Sequence, residues 1–173
     1  MDRREANQAI NWMEDARRSA AELRGYCQTG SVVVAWGLAW MTGFGALQFV
    51  PKLAGWFWLL AWCGALGWTF TRPWRSGDGR AVATWGFIVA YVALVLVVVR
   101  GDARTVAAVS ALTVVAGFSI LGLWAGHRYL ALGAAVAIAL LVGWWLLPGW
   151  LFLLLSVGGG GSLVAGGFWL QRP

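Results

Sequence analysis

Few residues in this chain are spaced for chemistry. His127 is its only histidine. It sits beside Arg128 and Tyr129 with no nearby carboxylate or thiol, so it is a poor metal ligand or general base and reads as an interfacial polar residue. Cys27 and Cys63 are the only cysteines, too few for a structural zinc site. Cys63 falls inside an apolar run and Cys27 near a charged edge, so no disulfide is expected between them. The chain has no P-loop, Rossmann glycine fingerprint, zincin motif or serine nucleophile elbow. No catalytic, cofactor-binding or metal-ligating residue is therefore assigned, no cofactor is expected, and the protein reads as a non-enzyme.

Two features inside apolar sequence remain. Gly158-Gly159-Gly160-Gly161-Ser162 falls in the middle of a long uncharged run. Glycine costs about 1 kcal/mol relative to alanine in a water-exposed helix, so four in succession weaken one. The run reads either as a break whose freed backbone groups face a midplane site or as close helix packing. The packing faces would be Gly158, Ser162 and Gly166, or Gly161 and Ala165. Ala35, Ala39 and Gly43, and Gly122 with Gly126, give two more such faces. Trp40 and Trp62 each lie about ten residues from the turn at Pro51-Lys52, away from the ends of their runs. They read either as the wall of an aromatic cavity for an apolar or cationic ligand or as packing, with the Trp40 N–H bonded to a freed carbonyl, Thr42 or Ser156. Together Trp40, Trp62 and Gly158–Ser162 mark the candidate cavity or packing centre.

The elements that hold these residues follow from composition. The chain has 173 residues, 60% of them hydrophobic and 12% charged, against about 25% charged in a soluble domain. Charged turns separate uncharged runs long enough to cross a bilayer at ~1.5 Å per residue. The intervals predict six transmembrane helices, near 31–50, 53–71, 81–99, 105–125, 129–147 and 150–170. The last two divide at Pro148-Gly149. Similar endings at Trp68–Pro73 and Phe168–Pro173 are compatible with three helical hairpins. The fold class is all-α, with a membrane domain over 31–171. None of the six runs carries Asp, Glu, Lys or Arg. That argues against a proton-coupled pump, because a charge at the bilayer centre is costly and is kept for work.

Lys and Arg number 13 against 7 acids, for a net charge of +6. With six spans, ten of the basic residues fall on one side and Lys52, Arg100 and Arg104 on the other. The positive-inside rule then places both termini in the cytoplasm. The basic side suits an anionic inner leaflet and gives no reason to invoke nucleic acid. A homo-oligomer or a membrane partner is the other expected associate. Tryptophans near the predicted ends form two interfacial belts.

Residues 1–30 differ. Positions Ala6, Ile10, Met13, Ala16 or Arg17, Ala20, Leu23 and Cys27 recur at three- and four-residue spacing among charges, predicting an amphipathic helix. Gly25 and Gly30 are expected to break it, leaving it on the inner leaflet with Trp12 at headgroup level, or packed on the membrane domain or another subunit. No cleavable signal peptide is visible.

Trp36-Gly37-Leu38-Ala39-Trp40 followed by Gly43-Phe44-Gly45, with the late glycine-rich helix, resembles a group of small bacterial six-helix membrane proteins that have no agreed activity. The resemblance implies an inner-membrane location. Genes of that group often neighbour winged-helix regulators, which implies an envelope-stress, sensing or transport role. It assigns no functional residue.

Overall fold

A computed structural model describes residues 3–71 and 101–172, with positions 86, 90, 91 and 94 between them. Side chains are described in these except at 3–9, 11, 15–28 and 124–125. The described residues are helical, joined by short turns. The predicted third span, 81–99, and the basic loop before it lie outside the described residues, apart from those four isolated positions.

α1 runs from Arg3 to Phe49, 47 residues without interruption. The expected break at Gly25 and Gly30 does not occur. No proline stops the chain there, and Gly30 is held inside the helix by packing: a Cβ on it would sit 2.6 Å from the Gly167 carbonyl oxygen. An unbroken helix cannot lie flat on a surface that its own continuation crosses, so the segment before Thr29 extends beyond the bundle. Trp12 is 80% exposed and lies about 25 Å along the axis from Thr29 at ~1.5 Å per residue.

α2 spans Ala54–Thr71 after a turn at Pro51. α3 spans Ala103–Ala125. Its first turn is capped by the Asp102 carboxylate, which accepts from the Thr105 backbone N–H at 3.0 Å and from the Thr105 hydroxyl at 2.6 Å, so an orphan N–H of the helix start is satisfied. α4 spans His127–Leu141 and continues through a π-helical turn, Val142–Leu146. α3 and α4 are separated only by Gly126, at φ 124° and ψ 155°. That backbone conformation is open essentially to glycine alone. α5 is composite: a 3₁₀ turn Pro148–Trp150, a short α-turn Leu151–Leu153, a π-helical stretch Leu154–Gly160 and a regular helix Gly161–Gln171. Proline opens it, as expected where an N–H would be unpaired anyway.

Among the described residues, four stretches are long and apolar enough to cross a membrane: Thr29–Phe49, Ala103–Leu123, His127–Leu146 and Pro148–Gln171. α2 is uncharged, but its four tryptophans and three glycines lower its mean hydropathy and leave it outside that set.

The neighbours are arranged in the order α2, α1, α5, α4, α3. Hydrogen bonds fix which ends meet. The Thr29 and Tyr129 hydroxyls bond to each other, and Arg128 donates to the Arg172 carbonyl at 3.1 Å, gathering the middle of α1, the start of α4 and the end of α5. At the opposite end Gln48 donates to the Gly149 carbonyl at 3.4 Å and Arg104 lies 5.3 Å over the Trp144 ring. Arg128 lies at the same distance over Trp169. Each end of the bundle thus carries an arginine on a tryptophan face, a cation–π contact. The core between them includes Trp40, Phe44, Phe118, Tyr129, Val136, Leu155 and Leu163, all buried.

Candidate functional site

α5 presents two edges at mid-length, one to α1 and one to α4. The edge towards α1 is built on glycine. A Cβ at Gly37 would meet the Gly160 carbonyl oxygen and the Val164 backbone nitrogen, each at 2.8 Å. A Cβ at Gly160 would meet the Gly37 carbonyl oxygen at 2.8 Å and the Met41 nitrogen at 2.9 Å. One heptad further on, Gly30 and Gly167 repeat this arrangement, with 2.6 and 2.7 Å to each other's carbonyl oxygens. Two antiparallel helices therefore touch backbone to backbone at two levels seven residues apart. Close approach of this kind is what small residues permit between helices in lipid. One turn beyond, the Ser156 hydroxyl donates to the Met41 carbonyl at 2.8 Å across the same seam.

The edge towards α4 uses Gly158, whose Cβ would come within 3.0 Å of Ala139, and Gly166, which lies under Leu132. Gly158 and Gly166 thus pack as the sequence reading had them, but on a different neighbour from Gly160 and Gly167. Gly161 faces open space. Ser162 caps back to the Gly159 carbonyl at 2.7 Å within its own helix.

The glycine run does not break α5. The Gly160 and Gly161 backbones keep right-handed helical angles, and the Gly161 N–H reaches the Ser156 and Gly158 carbonyls. The helix widens instead. Glycine has no Cβ to crowd the wider turn, so the run accepts π-helical winding while its backbone groups stay paired.

Trp40 is 4% exposed, and its ring lies over Gly159, where a Cβ would be 3.5 Å away. It meets Phe44 edge to face at 5.1 Å, and Phe44 meets Trp58 in the same way at 5.0 Å. Trp62 is not part of this cluster. It pairs with Trp36 at 5.1 Å and 86° on the α1–α2 face, where the Trp36 indole donates to Thr69 at 3.3 Å. The Thr42 hydroxyl donates to its own helix at Leu38 and the Ser156 hydroxyl to Met41, and no hydrogen bond joins Trp40 to either. Trp40 and Gly159 are thus brought together, Gly160 packs beside them on α1 and Gly158 on α4, while Gly161, Ser162 and Trp62 stand apart from that centre.

The open volume lies elsewhere. A groove of about 720 Å³ runs between α1 and α2, with Phe168 and Gln171 of α5 at one end. Ala35, Ala39, Ala61, Gly64 and Ala65 keep its walls low, and Leu38, Phe57 and Leu60 line it. The sequence reading missed it. The available signal was the pair of facing small stripes, Ala35 with Ala39 and Ala61 with Gly64 and Ala65, in consecutive runs. No known protein family matches this chain, and no curated protein or solved structure matches it. Among the described residues, no three His, Cys, Asp or Glu side chains gather as a metal site, and Cys63 is an exposed free thiol.

Among the described residues, Asp102 is the group whose protonation is tuned. The Thr105 hydroxyl and then the Thr105 backbone N–H hold its carboxyl below the ordinary value, with Arg104 adding a smaller pull and slight desolvation opposing them. Its work is to cap α3.

Proposed function

We propose that this protein is a non-enzymatic integral membrane protein of six spans that binds or supports a membrane component rather than conducting one. Both termini lie in the cytoplasm, and the membrane is the bacterial inner membrane that the sequence resemblance implies. α2 and the 81–99 stretch supply the fifth and sixth spans. α2 is 18 residues long, about 27 Å at ~1.5 Å per residue, close to the ~30 Å hydrocarbon thickness.

The observation that carries the reading is the filled bundle centre. Trp40 covers Gly159, and the Gly37 and Gly160 backbones are in contact, so the alternative reading, an uncoupled transporter or channel with its path at the midplane Trp and Gly residues, would have to pass through packed atoms. The space that remains opens sideways at bilayer depth, which suits a ligand arriving from lipid. Arginine–tryptophan pairs at both ends agree with interfacial anchoring.

Two measurements test this. Cysteines placed at Ser76 and next to Lys52 should label from opposite faces of sealed vesicles; labelling from one face overturns the six-span topology. Proteoliposomes should leak small neutral and cationic solutes no faster than protein-free vesicles. A saturable flux abolished by Gly159→Trp would overturn the binding role in favour of transport.

A further inference from the structure

The groove between α1 and α2 is polar at one end only. That end holds Ser31, Trp68 and Gln171. Arg172 follows Gln171 and is exposed, and Arg128 reaches the Arg172 carbonyl. The far end is Thr42 and Phe57, and the Thr42 hydroxyl is already bonded to Leu38 at 2.8 Å. Among the described residues, no carboxylate lines the groove. From Ser31 to Thr42 the helix rises about 17 Å at ~1.5 Å per residue, close to half of a ~30 Å hydrocarbon core. Length, sideways opening and charge therefore match a molecule with an apolar tail one leaflet deep and an anionic head.

We propose that the groove is a retained-lipid site. It takes an acyl chain of an anionic phospholipid from the leaflet on the arginine side, with the headgroup phosphate at Arg172. The inference rests on the membrane reading above and names the ligand class for it. At Gly64 the tail has room, since a Cβ there would meet no described residue within 4 Å. Trp68 stands at the headgroup end, where amphipathic rings settle. The arginine selects the head, because a basic residue near an anionic surface contributes about 1 kcal/mol, or roughly fivefold in occupancy.

The full chain, purified in mild detergent, is incubated with equal amounts of phosphatidylglycerol and phosphatidylcholine of the same chain length, and bound lipid is counted by native mass spectrometry. One phosphatidylglycerol should be retained in preference. Arg172→Gln, which leaves the bundle untouched, should lower that preference about fivefold with no change for phosphatidylcholine. Gly64→Trp should remove retention of both. Equal retention of the two lipids, or no effect of either substitution, overturns the site. So does efficient cross-linking, in a chain with Cys27 and Cys63 replaced by serine, between Leu60→Cys and cysteines introduced along 86–94, since the third apolar run would then fill the groove. A chain that stays monodisperse without detergent would instead overturn the membrane reading itself, so the two failures are distinguishable.

Discussion

Gly37→Ala places a methyl group against two backbone atoms of α5. Its Cβ would stand 2.8 Å from the Gly160 carbonyl oxygen and from the Val164 nitrogen, with the Val164 Cγ2 at the same distance. Ordinary contact begins near 3.4 Å, so α1 and α5 must separate by about 0.6 Å at this level. A rotamer change relieves the Val164 methyl but not the two backbone atoms. Separation also stretches the Ser156–Met41 hydrogen bond and the Gly30–Gly167 contact on either side. Overpacking a close-packed site costs about 1–3 kcal/mol, and with two immovable atoms the upper half of that range is expected, a 30- to 150-fold shift towards the unfolded form. SDS titration of the purified protein in detergent micelles measures it. Gly161→Ala is the control, because that site is open and alanine there should be neutral or stabilising by up to ~1 kcal/mol. The double substitution Gly37→Ala/Gly160→Ala should cost less than the two single effects together, since the first methyl already parts the helices. Equal behaviour of Gly37→Ala and Gly161→Ala would refute the backbone contact.

Gly126→Ala should destabilise by about 1–3 kcal/mol, because φ 124° is strained for any residue with a Cβ; the same SDS titration reads it. Ser156→Ala should lose about 0.6 kcal/mol, the average for an interhelical hydrogen bond in a membrane protein, and Tyr129→Phe about 1 kcal/mol for its bond to Thr29. The Asp102 cap has a lowered carboxyl pKa, so its contribution is fully present above the ordinary carboxylate value and is lost as the pH falls through the folded one. Hydrogen exchange at Thr105 and Val106 should therefore accelerate only under strong acid, and Asp102→Ala should reproduce that acceleration at neutral pH while Asp102→Ser does not.

Helix positions were legible because charged and proline-bearing turns punctuate apolar runs. The predicted spans 53–71 and 105–125 fall within a few residues of α2 and α3, and Pro148-Gly149 divides the last two as expected. The unbroken α1 was not legible. A glycine reads as a breaker until its neighbour is known, and Gly30 is stabilised in the helix by Gly167, over a hundred residues away. The site was half legible for a related reason. Small residues four apart were taken as packing faces, whereas α1 and α5 use glycines seven apart, Gly30 with Gly37 and Gly160 with Gly167. A spacing of seven in two separate runs was visible in the sequence, but only tertiary pairing turns it into a contact. Gly158 and Gly160, two residues apart, point to different sides of their helix, so they serve different neighbours.

One geometric fact has mechanical weight. α1 is a single rod of 47 residues, and its first 26 reach about 39 Å from the bundle at ~1.5 Å per residue, presenting Ile10, Trp12 and Met13 exposed near the tip. Anything that grips the tip gains leverage over the buried half, whose fulcrum is a seam with no slack. A few ångströms of sway outside must either bend the rod or pry apart glycines that already touch.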